Sequence, residues 1–291
     1  LEFRRVLFRS LEANTADVDS VSAATFSSYA IKTAVADAMK QAGLEAPTVS
    51  MQNAEKPATE RAAEECDIVI VGGGPAGLAA AISAKQTNAD KNVILVEKLD
   101  ILSGNGKFDM NFFDMINTEA QKAAGNDEWV GEAGLAKFIE EKSANGESAE
   151  RIQVWANEEY GIDAWLRAMG VELNYNYGGT NHMAEDNQYS GEVIQAGLEK
   201  AAAELGVDVR TGTKGMDLVM EDGVCKGVVV TNNENETYTI NAKSTIIATG
   251  GFCSNKELLA EYAPGYEVFN TSNQMGTTGD FVKVFEQNGF K

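Results

Sequence analysis

Apolar positions along this chain follow two periods, and the change from one to the other marks out the fold. Residues 68–71 and 93–96 are unbroken apolar runs of strand length, the pattern of strands covered on both faces. Between them, Ala79 to Ala84 is rich in helix formers, so the order is strand, helix, strand, which predicts a βαβ unit with parallel strands. Helical spacing appears elsewhere too. Ile31, Val35 and Met39 share one face early in the chain, and residues 117–170 predict one helix over 135–143 and another over 149–169. In the second of these, Ile152, Trp155, Ala156, Tyr160 and Trp165 lie on or near one face and are read as packing. An alanine-rich helix over 191–205 and a short strand over 207–210 come next. The period then falls to two: Leu218 to Met220 and Val224 to Val230 flank Glu221-Asp222-Gly223, a hairpin signal. Ile246 to Ala248 is a further strand, and Val282, Val284 and Phe285 belong to a last helix. These elements predict an α/β fold, Rossmann-like, with a parallel sheet and a small antiparallel insertion. Residues 45–64 hold two of the four prolines and show no apolar periodicity, which reads as a linker.

The turn after the first apolar run carries the chemistry. Asp67 to Gly77 reads DIVIVGGGPAG, and Gly72, Gly74 and Gly77 have the spacing of the dinucleotide fingerprint. Gly72 allows the tight turn off the strand, Gly74 lets backbone approach a diphosphate, and Gly77 lets helix and strand pack closely. Pro75 and Ala76 open the helix, whose N-terminal N–H groups and dipole favour an anion without a basic side chain. The second apolar run ends in Glu97, twenty residues beyond Gly77. An acid at that offset sits at a strand tip, where its carboxylate can accept hydrogen bonds from ribose hydroxyls.

Composition narrows the partners. Across 291 residues there are 24 Lys plus Arg against 44 Asp plus Glu, a formal charge of -20. Such a surface repels polyanions, so nucleic acid and anionic membranes are poor partners. Cys66, Cys225 and Cys253 are widely spaced with no CxxC pair, and Cys66 and Cys253 read as small buried residues beside apolar strands. One histidine, His182, rules out a multi-histidine metal site, and no apolar run reaches the length of a membrane span. Residues 1–10, LEFRRVLFRS, differ in composition from the rest of the chain and are set aside as a non-native scar.

Further motifs carry a family resemblance. Glu97-Lys98 is followed by Ser103-Gly104-Asn105-Gly106. A strand at 246–248 runs into Thr249-Gly250-Gly251, and residues 271–280 read TSNQMGTTGD, ending in Gly279-Asp280. In this order they resemble the flavoprotein subunits of the soluble fumarate reductase and urocanate reductase family, in which an FMN-binding domain precedes an FAD-binding domain. The resemblance departs at Ser103 and Gly106, at the bulky residues 110–115 where the family has glycines against the flavin, and at Phe281. Upstream, residues 19–25, DSVSAAT, resemble the family's flavin attachment motif with Ala23 in place of glycine, which would make Thr25 the site of covalent FMN; a helix N-cap also explains such a residue. In the loop 174–190, His182 falls where the family has a histidine near the flavin, without the residues that should come after it.

The resemblance implies an organisation and a reaction. Residues 11–44 would be the C-terminal remnant of an FMN domain, 45–64 a linker, and 65–291 the first half of an FAD domain whose substrate-binding and proton-donating part lies downstream. Gly72, Gly74, Pro75, Ala76, Gly77, Glu97, Lys98, Gly104, Asn105, Gly106, Thr249, Gly250, Gly251, Gly279 and Asp280 would bind FAD. The implied reaction is hydride transfer from FAD to an α,β-unsaturated carboxylate such as fumarate or urocanate, with covalent FMN relaying electrons and no catalytic residue assigned within this chain. Implied partners are the carboxylate substrate, an electron donor protein or quinol system, and a flavin transferase. The implied compartment is the cell envelope, with the cytoplasm as the alternative. Another FAD-dependent dehydrogenase or oxidase, or a flavin module that only carries electrons, fits the same nucleotide motifs.

Overall fold

The structure, a computed structural model, describes residues 10, 15–16, 25–47, 49, 57–108, 112–144, 146, 148–175, 178–185 and 188–290. Its elements in chain order are α1 (Thr25–Gln41), β1 (Thr59–Glu60), β2 (Glu64–Val71), α2 (Pro75–Thr87), β3 (Val93–Val96), α3 (Asn105–Phe108) and β4 (Phe113–Asp114). Then come α4 (Glu119–Ala123), a 3-10 turn at Asp127–Trp129, α5 (Gly131–Ser143), α6 (Ala149–Glu159), α7 (Ile162–Ala168), β5 (Asn181–His182) and α8 (Ser190–Glu204). The last are β6 (Asp208–Arg210), β7 (Thr213–Glu221), β8 (Val224–Asn232), β9 (Glu236–Ile247), α9 (Lys256–Tyr262) and α10 (Asp280–Gln287).

One mixed sheet in the order β6-β3-β2-β9-β8-β7 organises the molecule, with β1 also pairing on β9. The pairs β6/β3, β3/β2 and β2/β9 are parallel, whereas β9/β8 and β8/β7 are antiparallel. The expected antiparallel insertion is therefore continuous with the parallel sheet, and the twelve residues of β9 belong to both halves. The hairpin between β7 and β8 turns at Asp222 (φ 49°) and Gly223 (φ 78°). Two successive positive φ values make the mirror-image turn whose twist suits a two-residue hairpin, which is why Asp-Gly stands there.

Alternation within the central strands loads both faces of the sheet. Ile70, Val93 and Leu95 point to one side, where Leu78, Ala81 and Ile82 of α2 and Ile194, Leu198 and Ala202 of α8 cover them. Val69, Val71, Ile94 and Val96 point to the other side, against Val228, Val230, Ile240, Phe281 and Val284. Burial on both faces accounts for the unbroken apolar runs read in the sequence. A smaller cluster of Ile116, Trp129, Phe138 and Ala156 holds the helical excursion together, with Trp155 edge-on to Phe138 at 5.1 Å.

Three expectations need correction. The helix expected over 149–169 is two helices, α6 and α7, broken at Tyr160 and Gly161. The break falls between residues serving different clusters: Ala156 belongs to the excursion cluster and Leu166 to the main core. The stretch expected as linker over 45–64 ends inside the sheet: Thr59 and Glu60 pair in parallel with Glu236 and Thr237, and β2 already begins at Glu64. Length in β9 supplies that pairing, so no apolar period was needed in 59–64. Cys253 is half-buried rather than buried, whereas Cys66 is buried, and all three cysteines are free. Burial, with Asp67 nearby, pushes the Cys66 thiol up to about 11, so it stays protonated and inert at neutral pH.

In α1 the side chains of residues 25–29 are not described, and the attachment-like residues 19–24 lie outside the described residues, as do Met110 and Asn111. No helix among the described residues is long and apolar enough to cross a membrane.

Core burial sets a stability expectation. Leu78 is fully buried between α2 and the sheet, so Leu78→Ala should cost about 2–5 kcal/mol of unfolding free energy in a denaturant titration. Val224, 52% exposed at the hairpin, serves as the control, and Val224→Ala should change stability by less than about 0.5 kcal/mol.

Candidate cofactor cleft

The carboxyl ends of β2, β3 and β9 open onto one cleft, the position where open α/β sheets bind ligands. Its walls are Gly72, Gly74, Pro75 and Ala76 after β2; Glu97, Lys98 and Leu99 after β3; and Ala248, Thr249 and Gly250 after β9. Ser103, Gly104, Asn105, Lys214, Gly215, Gln274, Gly276, Thr277, Asp280 and Phe281 complete it.

Packing of bare backbone shapes the floor. Gly72 has φ +113°, and a Cβ there would lie 2.3 Å from the Ala248 carbonyl oxygen. A Cβ on Gly77 would lie 1.9 Å from the Gly72 oxygen. A Cβ on Gly104 (φ +129°) would come within 3.1 Å of the Gly74 Cα. Glycine is thus required at 72 and 77 for β2, α2 and β9 to meet, and the 104 loop closes over Gly74.

Helix α2 begins at this floor. Gly74 is its N-cap and gives no side-chain cap, and Pro75 stands in the first turn. By contrast α4 is capped by a reciprocal box between Thr118 and Gln121, and α9 by Asn255. The first-turn N–H groups of α2, facing the cleft, are therefore without a side-chain acceptor.

Glu97 is buried at the tip of β3. Its Oε2 accepts from the Gly73 N–H at 2.7 Å and its Oε1 from the Leu99 N–H at 2.8 Å. A carboxylate has about four lone-pair sites, so two backbone donors fix its orientation and leave acceptor capacity towards the cleft.

The far wall is a charged and hydrogen-bonded seam. Lys98 Nζ donates to Asp280 Oδ2 at 2.6 Å and to Thr278 Oγ1 at 2.7 Å, and Lys214 Nζ lies 3.1 Å from Asp280 Oδ1. Burial raises the Asp280 carboxyl, but the two ammonium groups outweigh it and hold its pKa below the usual carboxylate range. Asn105 is engaged within the protein: its Nδ2 donates to Asn273 Oδ1, and its Oδ1 accepts from Gln274 N at 2.8 Å. Ser103 Oγ accepts from Gln274 Nε2 at 2.7 Å, so serine at this position ties two loops together where a glycine could not.

Of the residues expected at the cofactor, Gly72, Gly74, Pro75, Ala76, Glu97, Lys98, Gly104, Asn105, Thr249, Gly250 and Asp280 line the cleft. Gly77 stands behind it as a packing glycine. Gly106 lies within α3, Gly251 has open space where a side chain would begin, and Gly279 is the left-handed N-cap of α10 packed on Phe252 and Leu258; none of these three lines the cleft. Lys214 and Gly215 of β7, Gln274 and Thr277 of the 271–280 segment and Phe281 in the first turn of α10 also line the cleft, although none is among the expected cofactor residues; only the tertiary fold brings these segments to the β3 tip.

His182 lies away from the cleft. It is fully buried, with Nδ1 against the Thr180 carbonyl at 2.9 Å and Nε2 2.7 Å from Thr118 Oγ1. Because a carbonyl only accepts, Nδ1 carries the hydrogen, and in the neutral ring that burial favours Nε2 accepts from the Thr118 hydroxyl. The flavin-side role implied for His182 is replaced by a structural one: it clasps β5 to the start of α4.

Comparison with known proteins agrees with this geometry. The profile described as "FAD binding domain" matches residues 67–291. The chain belongs to the FAD-binding domain family. It is 31% identical over 297 residues to the NADH:fumarate oxidoreductase of Klebsiella pneumoniae, covering 99% of this chain and 31% of that protein. It is 33% identical over 291 residues to the urocanate reductase of Eggerthella lenta, covering 94% of this chain and 46% of that protein. Among solved structures, the open conformation of a flavocytochrome c3 fumarate reductase superposes with a TM-score of 0.69 at 31% identity, over 78% of this chain and 41% of that one. A 3-ketosteroid-Δ4-(5α)-dehydrogenase from Rhodococcus jostii gives the same TM-score at 20% identity and shares the fold. The chain spans less than half the length of the fumarate and urocanate reductases it matches.

The buried imidazole yields a pH expectation. Burial lowers the His182 pKa below its usual 6.5, so below that value the unfolded chain takes up a proton that the folded chain refuses, and stability falls with acidification. The only imidazole in the sequence should titrate below 6.5 by NMR, and a mid-point above 6.5 in the folded protein would show that the ring is not held neutral by burial.

Proposed function

We propose that the cleft binds FAD and that the chain is the FAD-binding part of a reductase of α,β-unsaturated carboxylates. The uncapped, glycine-floored N-terminus of α2 carries this reading, since it offers backbone N–H groups and a helix dipole to a diphosphate with no side chain in the way. The residues present fit the cofactor in each part. Glu97, with two of its acceptor sites held by Gly73 and Leu99, would use the others for ribose hydroxyls. Gly74, Pro75 and Ala76 would face the diphosphate, with Gly104 pressed against them. Thr249 and Gly250 at the end of β9 would supply the second stretch of backbone along the cofactor. Lys98 and Lys214 would hold Asp280 at the opposite wall. Bound FAD would supply the two-electron hydride chemistry, and the protein would fix its orientation and surroundings.

Substrate class is inferred from the relatives. The fumarate and urocanate reductases at 31–33% identity point to an enoate, whose reduction adds a hydride to one alkene carbon and a proton to its neighbour. The two cations lining the cleft both pair with Asp280, so neither is placed to take a substrate carboxylate. The chain is therefore assigned cofactor residues and no catalytic residue. Covalent FMN at Thr25, relaying electrons inward, extends the proposal. It is supported by the attachment-like residues 19–25, which fall within the alignment to the Klebsiella protein.

Two experiments test these assignments. The purified chain should bind FAD, and Glu97→Ala should weaken binding about tenfold or more by flavin fluorescence titration, because it removes ribose contacts and strips the Gly73 and Leu99 N–H groups of their acceptor. Absence of FAD binding by the unsubstituted chain defeats the cofactor reading. Coexpression with a flavin transferase should add one FMN to the chain and none to Thr25→Ala; mass spectra without an adduct on the unsubstituted chain defeat the two-flavin extension.

A further inference from the structure

Behind the glycine floor, on the α2 side of the sheet, a polar side chain sits where the helix pattern calls for an apolar one. Gln195 lies in α8 between Ile194 and Leu198 and is fully buried. Its Nε2 donates to the Gly73 carbonyl at 3.2 Å and to Glu199 Oε1 at 3.0 Å, while its Oε1 is buried with no hydrogen-bond partner among the described residues. The amide cannot be reversed, because that would set its oxygen against two acceptors. An unmet buried acceptor is unfavourable, so the bond to Gly73 is kept at a cost.

Gly73 explains what that bond does. Its N–H is held by Glu97 and its carbonyl by Gln195, so both peptide planes around it are fixed. In a planar trans peptide the carbonyl and the following N–H point in opposite directions. Drawing the Gly73 carbonyl back towards α8 therefore sends the Gly74 N–H forward, away from α8, and Gly74 lines the cleft. Glu199 in turn lies 3.7 Å from Lys107 Nζ of α3, which links the same helix to the loop whose Gly104 presses on Gly74.

We infer that Gln195 is a positioning residue for the cofactor diphosphate: from α8 it sets the Gly73–Gly74 peptide so that the Gly74 amide faces the cleft. The inference rests on the cleft binding FAD, and the test separates the two. FAD affinity is measured for the unsubstituted chain, Gln195→Met and Gln195→Glu, alongside thermal unfolding of each apoprotein. Gln195→Met keeps length and loses the donor, so FAD affinity should fall about tenfold, the worth of one buried hydrogen bond. Gln195→Glu can donate to Gly73 only when protonated, and it faces Glu199, which pairs with Lys107, and Gly73, whose N–H is held by Glu97. Relative to the unsubstituted chain, its affinity should be near normal at about pH 5.5 and about tenfold weaker at about pH 8. A residue that merely filled space would not give that pH dependence. Equal FAD affinity for all three proteins at both pH values overturns the inference; if Gln195→Met fails to fold, the pH dependence of Gln195→Glu decides it. Failure of the unsubstituted chain to bind FAD overturns the cofactor reading itself, and the inference with it.

Discussion

The tightest constraint in the molecule is the contact between two strand ends. Gly72 leaves β2 with a positive φ, and its Cα faces the Ala248 carbonyl so closely that a single added carbon would sit 2.3 Å away. Backbone cannot yield to a clash as a flexible side chain can, so this approach fixes the distance between the β2 and β9 ends. It is supported from below by seven register pairs between these strands, from Glu64↔Ile240 to Val71↔Ile247, and by the Ala248 N–H donating to the Val71 carbonyl at 2.8 Å. Everything in the cleft is placed relative to that junction: α2 springs from it, and Gly77 packs against the Gly72 oxygen. Thr249 and Gly250 reach the same opening from the opposite strand.

Strand β9 also explains why one sheet carries two kinds of pairing. One edge takes β2 and β1 in parallel, and the other takes β8 antiparallel. The hairpin is therefore fixed in the same hydrogen-bonded framework as the nucleotide turn, and its first strand delivers Lys214 and Gly215 to the cleft. Phe281 then fills the space above Gly215, where an added Cβ would meet its ring at 2.9 Å. That contact brings Asp280 within reach of Lys98 and Lys214. Glycine at 215 is thus a packing requirement with an electrostatic consequence one residue away.

What could be read in the sequence divides along physical lines. The nucleotide turn was legible because its requirements are local: a strand, glycines where backbone must approach backbone, a helix, and an acid at the next strand tip. The buried strands were legible because cover on both faces leaves no polar alternation. What the sequence hid is what depends on distant packing. Asn105 reads as a cofactor ligand from its motif and lines the cleft, but no motif shows that one donor and one acceptor site of its amide go to Asn273 and Gln274. His182 reads as a flavin-side histidine, yet its two nitrogens clasp Thr118 and Thr180. Gln195 carries one signal, a polar residue on an apolar helical face, and nothing in sequence shows that its partner is Gly73.

The cleft is assembled from segments far apart in the chain: residues 71–76, 96–105, 214–215, 248–250 and 274–281. Each contributes mainly backbone, small residues or side chains bonded to one another, so the site has few anchors of its own and depends on the sheet to hold its parts in register. A ligand that touches all five segments binds only the folded arrangement, and its binding free energy adds to the stability of that arrangement. The seam joining Ser103 and Asn105 to Gln274 spans the same opening and ties two of these segments directly to each other. The polar residues at the rim, Lys98 with Asp280 and Asn105 with Gln274, are thus paired to each other. They hold the walls, while the Gly73 peptide groups are held by Glu97 and Gln195 and the Gly74 and Ala76 N–H groups are left facing the cleft.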